Sequence, residues 1–347
     1  MIEFDDTRCY NVQKEVKFMD RRWFKGDTHL HTTNSDGILH QYELIERCKK
    51  AGFDWAIITD HNFNTVEKSY TSDGLTVIQG QELTGNNGHV NVWGAEIPFE
   101  PPYNLENLEA YKAITDAAKM RGATISVNHP FCSNCPYRMD LDGIGMDCVE
   151  VWNTIQHSDN NKALAWWVSK LDSGEKIGAV GGSDFHRDYG VRIFGIPTTV
   201  THAKSNSPDD ILQALREGRS VVTNTPDSSM IYLTAEDAEL GDTIALGGGI
   251  TGKITATKLH AGFVLKVFNN SKIIYQHKAT SFEKSHTAHF GIREKGYIRA
   301  EIDYKLSAPA KKILGFAEKT FLTAQGAPTP ETADELFWAF TNPIWIE

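Results

Sequence analysis

Histidines and carboxylates in this sequence are concentrated in short motifs. His29 and His31 form an H-x-H pair in GDTHLHT, and Asp184 and His186 form a D-x-H pair in GGSDFH. On a β-strand, residues i and i+2 point to the same side, so both side chains of a pair can reach one ion. We therefore predict that both pairs bind metal.

Further candidate ligands lie near the ends of other strand-like segments. They are Asp36 in NSDG, His61 after Asp60 in IITDHN, Glu82 in GQE, His89 in HVNVWG and His129 in NHP. Loops that follow parallel strands converge at one rim of a barrel, so these side chains are expected to meet there. Six histidines and three carboxylates exceed the needs of one ion, and Glu82 could bridge two. Mixed imidazole and carboxylate ligation is typical of zinc, manganese or iron.

The elements that position these residues alternate between strand-like and helical patterns from about residue 22 to 223. Helices are predicted over 40–51, 105–121 and 161–173, and from the capping Ser207 to Gly218. The predicted strands are WAIIT, LTVIQG, HVNVWG, TISVNHP, CVEVWN, KIGAVGGSD, IFGIPTTV and SVVTN. Repeated strand–helix units predict a parallel sheet, open or closed into a barrel. About 200 residues is short for an eight-fold barrel, so a smaller or distorted barrel is expected.

The pattern changes after about residue 224. Short strand-like segments follow, namely MIYLTA, ITGKITATKL, GFVLKVFNN, SKIIYQHK, GYIRAEIDYK and NPIWIE, with 311–318 and 331–341 as helical or extended insertions. We predict a smaller, mostly β domain of sandwich type. The predicted domains are therefore 17–223 and 224–347. The second shows no metal-type cluster, and its His286 and His289 are predicted to be surface residues.

Composition narrows the class of protein. The formal charge of −10 argues against a general nucleic-acid binder, because no basic surplus exists to neutralise phosphates. No apolar run is long enough to span a membrane, and MIEFDDTRCY lacks the features of a signal peptide. Five cysteines without an evident framework fit a reducing compartment, so a cytoplasmic location is predicted. The lone C-x-x-C of Cys132 and Cys135 is interpreted as a loop or packing feature.

The metal-type motifs resemble those of the PHP (polymerase and histidinol phosphatase) family. GDTHLHTTNSDG looks like its first motif, IITDHN its second, GQELTG with HVNVWG its third, and NHP with GGSDFH its last. The resemblance covers residues 22 to about 202 and implies a distorted seven-stranded α/β barrel with two to three divalent ions. It implies His29, His31, Glu82 and Asp184 around one ion, Asp36, His61 and His186 around a second, and Glu82, His89 and His129 around a third. Asp36 stands where some relatives have histidine.

Past the barrel, the resemblance is to one branch of that family. IFGIPTTV, LREGRSVVT, YIRAE and NPIWIE resemble the carbaryl-hydrolase-like (CehA/McbA) branch, which implies a β domain packed on the barrel. Members of that branch are often exported, and the missing signal peptide departs from their pattern.

The leading functional hypothesis is hydrolysis of a small phosphate monoester by a metal-bridging hydroxide, because metals depress the pKa of water. The catalytic candidates are Asp36, Glu82, Asp184 and His186, and the substrate-binding candidates are Arg187, Arg192, Arg138 and His157. Asp60 is interpreted either as a residue that orients a ligand or as a strand-end hydrogen-bond acceptor. The alternatives are a carbamate, ester or amide hydrolase, and a non-catalytic scaffold whose β domain binds a partner or glycan. No nucleic-acid polymer or membrane is expected as a partner, and oligomerisation is left open.

Overall fold

The computed structural model describes residues 21–324 and 332–347. Three predictions fall wholly or partly outside the described residues: the domain start at residue 17, the absence of a signal peptide, and the first residue of the predicted insertion 331–341. The elements up to residue 223 are β1 (Arg22–Leu30), α1 (Gln41–Lys50), β2 (Trp55–Ile58), β3 (Tyr70–Ser72), β4 (Leu75–Gly85), β5 (Gly88–Trp93), α2 (Leu108–Lys119), β6 (Thr124–Val127), β7 (Cys148–Asn153), α3 (His157–Asp172), β8 (Gly178–Gly182), β9 (Thr198–Ala203), α4 (Pro208–Arg216) and β10 (Ser220–Thr223).

The predicted helices are confirmed, and their ends follow local chemistry. The Ser207 side chain accepts a hydrogen bond from the Asp210 backbone N–H at the start of α4, and Pro208 occupies the first turn. Asn107, which was not predicted as a cap, caps α2 in the same way. Helix α1 ends before Gly52, whose φ of 76° is a left-handed conformation that glycine adopts without strain.

The main sheet runs in the order β10-β9-β1-β2-β4-β5-β6-β7-β8 through this part of the chain. The predicted all-parallel arrangement is wrong in part. Strands β1, β2 and β4 are parallel, and so are β6, β7 and β8, but β5 is antiparallel to both of its neighbours. The reason is the connection between β4 and β5, a two-residue turn with no helix, which permits only antiparallel pairing.

The last predicted strand before α4 is displaced along the chain. The segment IFGIPTTV was predicted as one strand, but β9 begins only at Thr198. Ile193 and Phe194 pack into the core, and the chain turns at Gly195, whose φ is 72°. Pro197 has no N–H to donate to a ladder, so regular pairing starts after it.

The two ends of this strand series lie close together. Thr28 in β1 and Thr199 in β9 both donate hydroxyl hydrogen bonds to the Gly181 carbonyl of β8. An isolated parallel bridge joins Leu30 to Phe185, immediately after β8. The chain therefore forms a mixed α/β structure in which β8 lies beside β1, and closure into a seven-stranded barrel stays a prediction.

The remaining elements are mostly strands, as predicted. They are β11 (Met230–Ala235), β12 (Thr243–Ile244), β13 (Ile250–Leu259), β14 (Phe263–Asn269), β15 (Lys272–Lys278), β16 (Glu283–Ile292), β17 (Gly296–Lys305), α5 (Ala308–Ala324), β18 (Glu335–Thr341) and β19 (Ile344–Ile346). Strands β11, β13 and β16 form a three-stranded sheet. Its apolar side chains, including Ile231 and Ile254, share a core with Leu265 and Ile302 of the large sheet, which is the layering of a sandwich.

The large sheet continues across the predicted domain boundary at 223/224. Strand β10 pairs antiparallel with β18, so β1, β9, β10 and β18 belong to one sheet. The buried Asn342 amide donates to the carbonyls of Ala179 and Ser220 and accepts from the Ala179 N–H. Phe337 and Phe340, in the second part of the chain (residues 224–347), pack with Trp152 and Trp167 of the first part (residues up to 223). The second part is therefore joined to the first by both backbone pairing and a shared core.

Helix α5 extends from the second part toward the carboxyl ends of the first strands. Phe321 and Leu322 pack in the same core as Leu44 and Phe185, and the Phe321 ring contacts Tyr189 edge to face. Among the described helices, none combines the length and apolarity needed to span a bilayer.

Candidate metal centre

The end of β1 supplies two buried imidazoles. His29 and His31 are both fully buried, and their ring centroids lie 5.0 Å apart on the same side of the strand. The buried Asp27 carboxylate accepts hydrogen bonds from the backbone N–H groups of His29 and Ser183, which fixes β1 against the end of β8. The i, i+2 geometry predicted from the sequence is therefore present.

Glu82 is the carboxylate on which the histidines converge. It is fully buried in β4, three residues before the strand ends. Its oxygens lie near the ring nitrogens of five histidines: His29 at 3.3 Å, His31 at 3.6 Å, His61 at 2.7 Å, His89 at 3.1 Å and His129 at 3.5 Å. Such an arrangement suits a carboxylate shared between ions, as the sequence predicted.

Asp184 and His186 approach from the end of β8. Asp184 has a φ of 48°, an unusual conformation for a residue with a side chain, and its Oδ1 lies 3.3 Å from His29 Nε2 and 3.1 Å from His31 Nε2. The Asp184 carbonyl accepts a hydrogen bond from His186 Nδ1 at 2.9 Å. This bond leaves His186 Nε2 directed at Asp36 Oδ1, 3.0 Å away.

The structure brings all nine predicted ligands into one cluster. Within it, donor atoms lying within 4.8 Å of one another form overlapping groups: His31, Asp36, His61 and His186; His29, His31 and Asp184; His29, Glu82 and His129; and His89, His129 and Cys135. These groups largely follow the three ligand sets that the family resemblance implies. Cys135 was not predicted among them.

Several buried ligand atoms of the cluster lack the hydrogen bonds that such atoms normally make. The buried His29 Nε2, His31 Nε2 and Glu82 Oε2 atoms lie within 3.6 Å of other atoms of the cluster, yet none of them forms a hydrogen bond of normal geometry with a described residue. Buried polar groups ordinarily have a partner, because leaving one unpaired costs about 1–3 kcal/mol. Cations within this cluster would satisfy those atoms, and imidazole with carboxylate is the donor set of zinc, manganese and iron sites.

The electrostatics of the cluster are dominated by burial and by mutual attraction. Burial alone would raise the pKa of Glu82, but the charges of His29 and His89 outweigh it and hold that pKa well below its usual range. Burial lowers the pKa of His186, yet its hydrogen bond to Asp36 and the charge of Asp184 raise it to about 9. In the metal-free protein at neutral pH, Glu82 is therefore ionised and the His186 imidazole is in its doubly protonated, cationic form.

Glu150 is a buried residue of this site that the sequence analysis missed. It lies in β7, accepts a hydrogen bond from His29 Nδ1 at 3.0 Å, and also accepts from the backbone N–H of His129 and from Asn153 Nδ2, each at 3.0 Å. A carboxylate behind a ligating histidine fixes its tautomer and leaves the other nitrogen free for the ion. The signal was present, because a glutamate inside the apolar run CVEVW has no packing reason to be there.

Asp60 is a hydrogen-bond acceptor at the end of its strand, which is the second of the two interpretations of this residue. Its carboxylate accepts from the Thr32 backbone N–H at 2.7 Å and from the hydroxyls of Thr32 and Ser35 at 2.7 and 2.6 Å. A further hydroxyl, that of Thr65, also donates to it. Asp60 therefore shapes the loop that carries His31 and Asp36 without contacting a histidine ring in the described structure.

A cavity of about 310 Å³ opens directly above the cluster. Its walls are formed by Asp36, His61, His89, His129, Cys132, Asn134, Cys135, Asn153, Gln156, Asp184, His186 and Tyr189. Cys132 and Cys135, interpreted as a loop or packing feature, thus line the cavity, with their sulfurs 3.3 Å apart and Cys135 Sγ 3.7 Å from His129 Nδ1. The cavity is large enough for a small organic ester.

The predicted substrate-binding residues are placed unequally. Arg187 is exposed beside the cluster, donates from Nη2 to the Asp36 carbonyl at 3.3 Å and lies over the Tyr189 ring. Arg138 borders an adjoining depression with His89 and Cys135. Arg192 is exposed and does not line the cavity, and His157 is buried against Trp152 at the start of α3. The structure therefore brings Arg187 and Arg138 near the site, and not Arg192 or His157.

Comparison with known proteins gave no matching family model and no matching curated protein. Among solved structures, the chain is similar to a two-domain protein from Bacteroides vulgatus containing a predicted PHP-like metal-dependent phosphoesterase. The identity is 20% over 81% of this chain and 90% of that one, with a TM-score of 0.48. The carbaryl-hydrolase-like branch stays a prediction from the sequence.

Two further structures match about half of the chain. One is a candidate metal-dependent phosphoesterase from Bifidobacterium adolescentis, with 15% identity, a TM-score of 0.32, and coverage of 47% of this chain and 87% of that one. The other is an amidohydrolase from Chromobacterium violaceum with bound sulfate and no metal, with 15% identity, a TM-score of 0.33, and coverage of 46% and 87%. The site itself places nine imidazole and carboxylate ligand candidates at the floor of a cavity.

Proposed function

We propose that this protein is a metal-dependent phosphoesterase that hydrolyses a small phosphate monoester. The observation that carries the proposal is the convergence of five histidines on the buried Glu82, with further ligand candidates from Asp184 and Asp36. Two to three manganese, zinc or iron ions bound there would acidify water and stabilise the negative charge that develops at phosphorus. The predicted seven-stranded barrel would supply the frame.

The residues at the floor and at the rim of the cavity would have different functions around such a centre. Glu82, which is fully buried, and Asp184, whose side chain is 20% exposed, place negative charge at the floor of the cavity, where it would attract cations. Asp36, whose side chain is 57% exposed, lies at the open rim with His61 and His186. His186 Nε2 and Asp36 Oδ1 lie 3.0 Å apart there, so both would hold an ion at the rim. The Asp36 carboxylate, the more exposed of the two, would be the better placed to accept a proton from water through an oxygen that is not bound to that ion.

Arg187 is the candidate contact for a phosphate. Its guanidinium is anchored on the Asp36 carbonyl and lies beside Tyr189, which lines the cavity. A small rotation would direct its free N–H groups at an anion bound over the cluster. Arg138 in the adjoining depression is the second candidate and would contact the more distant part of a substrate.

A neutral ester, amide or carbamate is the second candidate substrate class, and one observation favours it. Among the described residues that line the cavity, none is lysine or arginine. A neutral substrate would need no cationic wall, whereas a phosphate would depend on bound metal and on Arg187 at the rim. The two classes therefore differ in how strongly they depend on Arg187.

Metal content provides the first test. Protein purified without chelators is expected to hold two to three transition-metal ions per chain, and Asp184→Ala is expected to lose metal and activity together. Glu96→Gln, a change of an exposed carboxylate far from the cluster, is the matched control. A chain that binds no manganese, zinc or iron after reconstitution would contradict the proposal.

Steady-state kinetics on two matched substrates provide the second test. Arg187→Ala is expected to lower kcat/KM for a phosphate monoester by about 10- to 100-fold, because a charge-assisted hydrogen bond contributes roughly 1.5–3 kcal/mol. The loss on a neutral ester with the same leaving group should be small. Equal losses would assign Arg187 a structural function, and a higher wild-type efficiency on the neutral ester would favour the second substrate class.

A further inference from the structure

The second part of the chain contains a cluster of metal-type side chains that its sequence pattern did not reveal. His277 at the end of β15 and Glu283 and His286 at the start of β16 offer donor atoms within 4.8 Å of one another. The prediction that this part lacks such a cluster is therefore wrong, as is the prediction that His286 is simply a surface residue. The side chains are 22–25% exposed, so they are partly buried but remain within reach of ions from solvent.

The donor atoms of this cluster lie close enough together to reach one ion, and His277 Nε2 is also within hydrogen-bond distance of both Glu283 oxygens, at 3.1 and 3.0 Å. His277 Nε2 lies 3.0 Å from Glu283 Oε2, and His286 Nδ1 lies 3.6 Å from the same oxygen. Ligands at about 2.0–2.2 Å in a tetrahedral site are about 3.4 Å apart, so small side-chain rotations would suffice. The two imidazoles are stacked with centroids 3.6 Å apart, and binding one ion would tilt them out of that stack.

A neighbouring hydroxyl fixes the orientation of one ring. Tyr275 Oη lies 2.7 Å from His286 Nε2 and can accept a hydrogen bond from an Nε2–H group. With the proton on Nε2, the Nδ1 lone pair faces Glu283. Ligating histidines generally carry such a partner on the nitrogen that does not bind metal.

The cluster also lies at a position where an ion would have a structural effect. Strand β15 pairs only with β14 at one margin of the large sheet, and β16 pairs only with β13 at one margin of the small sheet, among the described residues. Edge strands expose unpaired backbone groups and open more readily than central strands. An ion bound by side chains of both strands would link the two layers of the sandwich.

We propose that His277, Glu283 and His286 form a second metal site, for a divalent transition ion of the zinc class, that links β15 to β16. Two imidazoles and one carboxylate are the donor set that zinc accepts, with water in the fourth position. The site is separate from the cluster around Glu82 and does not depend on the proposed function.

Zinc stoichiometry of the full-length protein tests this site. Chelator-treated protein is titrated with zinc in competition with a chromogenic chelator, and the variants are His277→Gln and Glu283→Gln. Each is expected to bind one zinc fewer than the wild type, whereas His289→Gln, an exposed histidine on the same strand, should bind the full number. Asp184→Ala should lose ions at the first cluster and still bind the one assigned here.

Two further measurements separate a metal site from a structural hydrogen-bond cluster. The melting temperature of each metal-free variant shows whether it folds, and zinc should raise the melting temperature of Asp184→Ala but not of Asp184→Ala combined with His277→Gln. Zinc should also slow amide hydrogen exchange in β15 and β16 of Asp184→Ala. Equal zinc stoichiometry in the wild type, His277→Gln and Glu283→Gln, or no zinc-dependent protection of these strands, would overturn the proposal.

Discussion

Glu150 provides a sharp test of how the fold prepares the metal site. Its two carboxylate oxygens accept from three donors, His29 Nδ1, the His129 backbone N–H and Asn153 Nδ2. Glutamine has nearly the same shape but replaces one accepting oxygen with a donating NH₂ group. If that group faces His29, the imidazole proton must move to Nε2, the atom directed at Glu82 and Asp184. If the NH₂ group instead faces away from His29, the His129 backbone N–H and the Asn153 amide both point at a donor and lose their acceptor.

Either arrangement of Glu150→Gln carries a cost of known size. An unsatisfied buried donor costs about 1–3 kcal/mol, which corresponds to about 10- to 100-fold in an equilibrium constant. Changes in residues that orient metal ligands typically lower metal affinity by a similar factor. We therefore expect the affinity for manganese or zinc to fall about 10- to 100-fold, with kcat/KM falling in parallel at limiting metal.

Competition with a chelating dye measures that affinity, and Glu96→Gln serves as the exposed control. High metal concentration should restore much of the Glu150→Gln activity, because the ligands themselves are intact. Rescue of this kind would distinguish a residue that positions His29 from one that only stabilises the fold. A variant with lower melting temperature but wild-type metal affinity would refute the reasoning.

Three further changes test other parts of the structure. Burial raises the pKa of Asp27 to about 7, whereas in the unfolded chain this carboxyl group ionises near pH 4. The folded state therefore loses stability as pH rises, and the free energy of unfolding of the metal-free protein should fall by about 4 kcal/mol between pH 4 and 7. Chemical denaturation should show that Asp27→Asn removes this fall. Diamide should oxidise Cys132 and Cys135 to a disulfide, because their sulfurs lie 3.3 Å apart, so a thiol titration should count two thiols fewer until dithiothreitol is added, and Cys135→Ser should show no such paired loss. A chain ending at residue 224 should aggregate, because it exposes Trp152 and Trp167 and leaves β10 without β18, and a monodisperse product in gel filtration would contradict this.

The cluster around Glu82 could be predicted from the sequence because its signals are local. His29 with His31 and Asp184 with His186 are i, i+2 pairs, and unusual residue types at strand ends are visible without knowing how the strands pair. The same applies to α4, where the capping Ser207 and Gly218 mark the two ends, and to α1, whose end is marked by Gly52. Local chemistry determines these features, so a linear pattern is sufficient to find them.

The features that we did not predict from the sequence depend on how loops and strands are arranged in three dimensions. His277 and Glu283 lie six residues apart on consecutive edge strands of different sheets, and this spacing matches neither the two-residue period of a strand nor a known ligand motif. Cys135 reaches the cavity through an irregular loop whose path no periodicity describes. Helix α5 could be predicted as a helix or an insertion, but its contact with Tyr189 depends on how the second part of the chain packs on the first.

The β4–β5 hairpin shows how a topological error and a correct site prediction coexist. The register pairs Gly85 with Gly88 and Thr84 with His89 across a two-residue turn. Residues that face each other across a ladder point to the same side, and Glu82 shares that side with Thr84, so His89 is directed toward Glu82. A shift of one residue would turn His89 to the opposite face. The antiparallel pairing that the strand–helix pattern failed to predict is therefore the feature that brings His89 to the centre, and a parallel β5 would have carried it away.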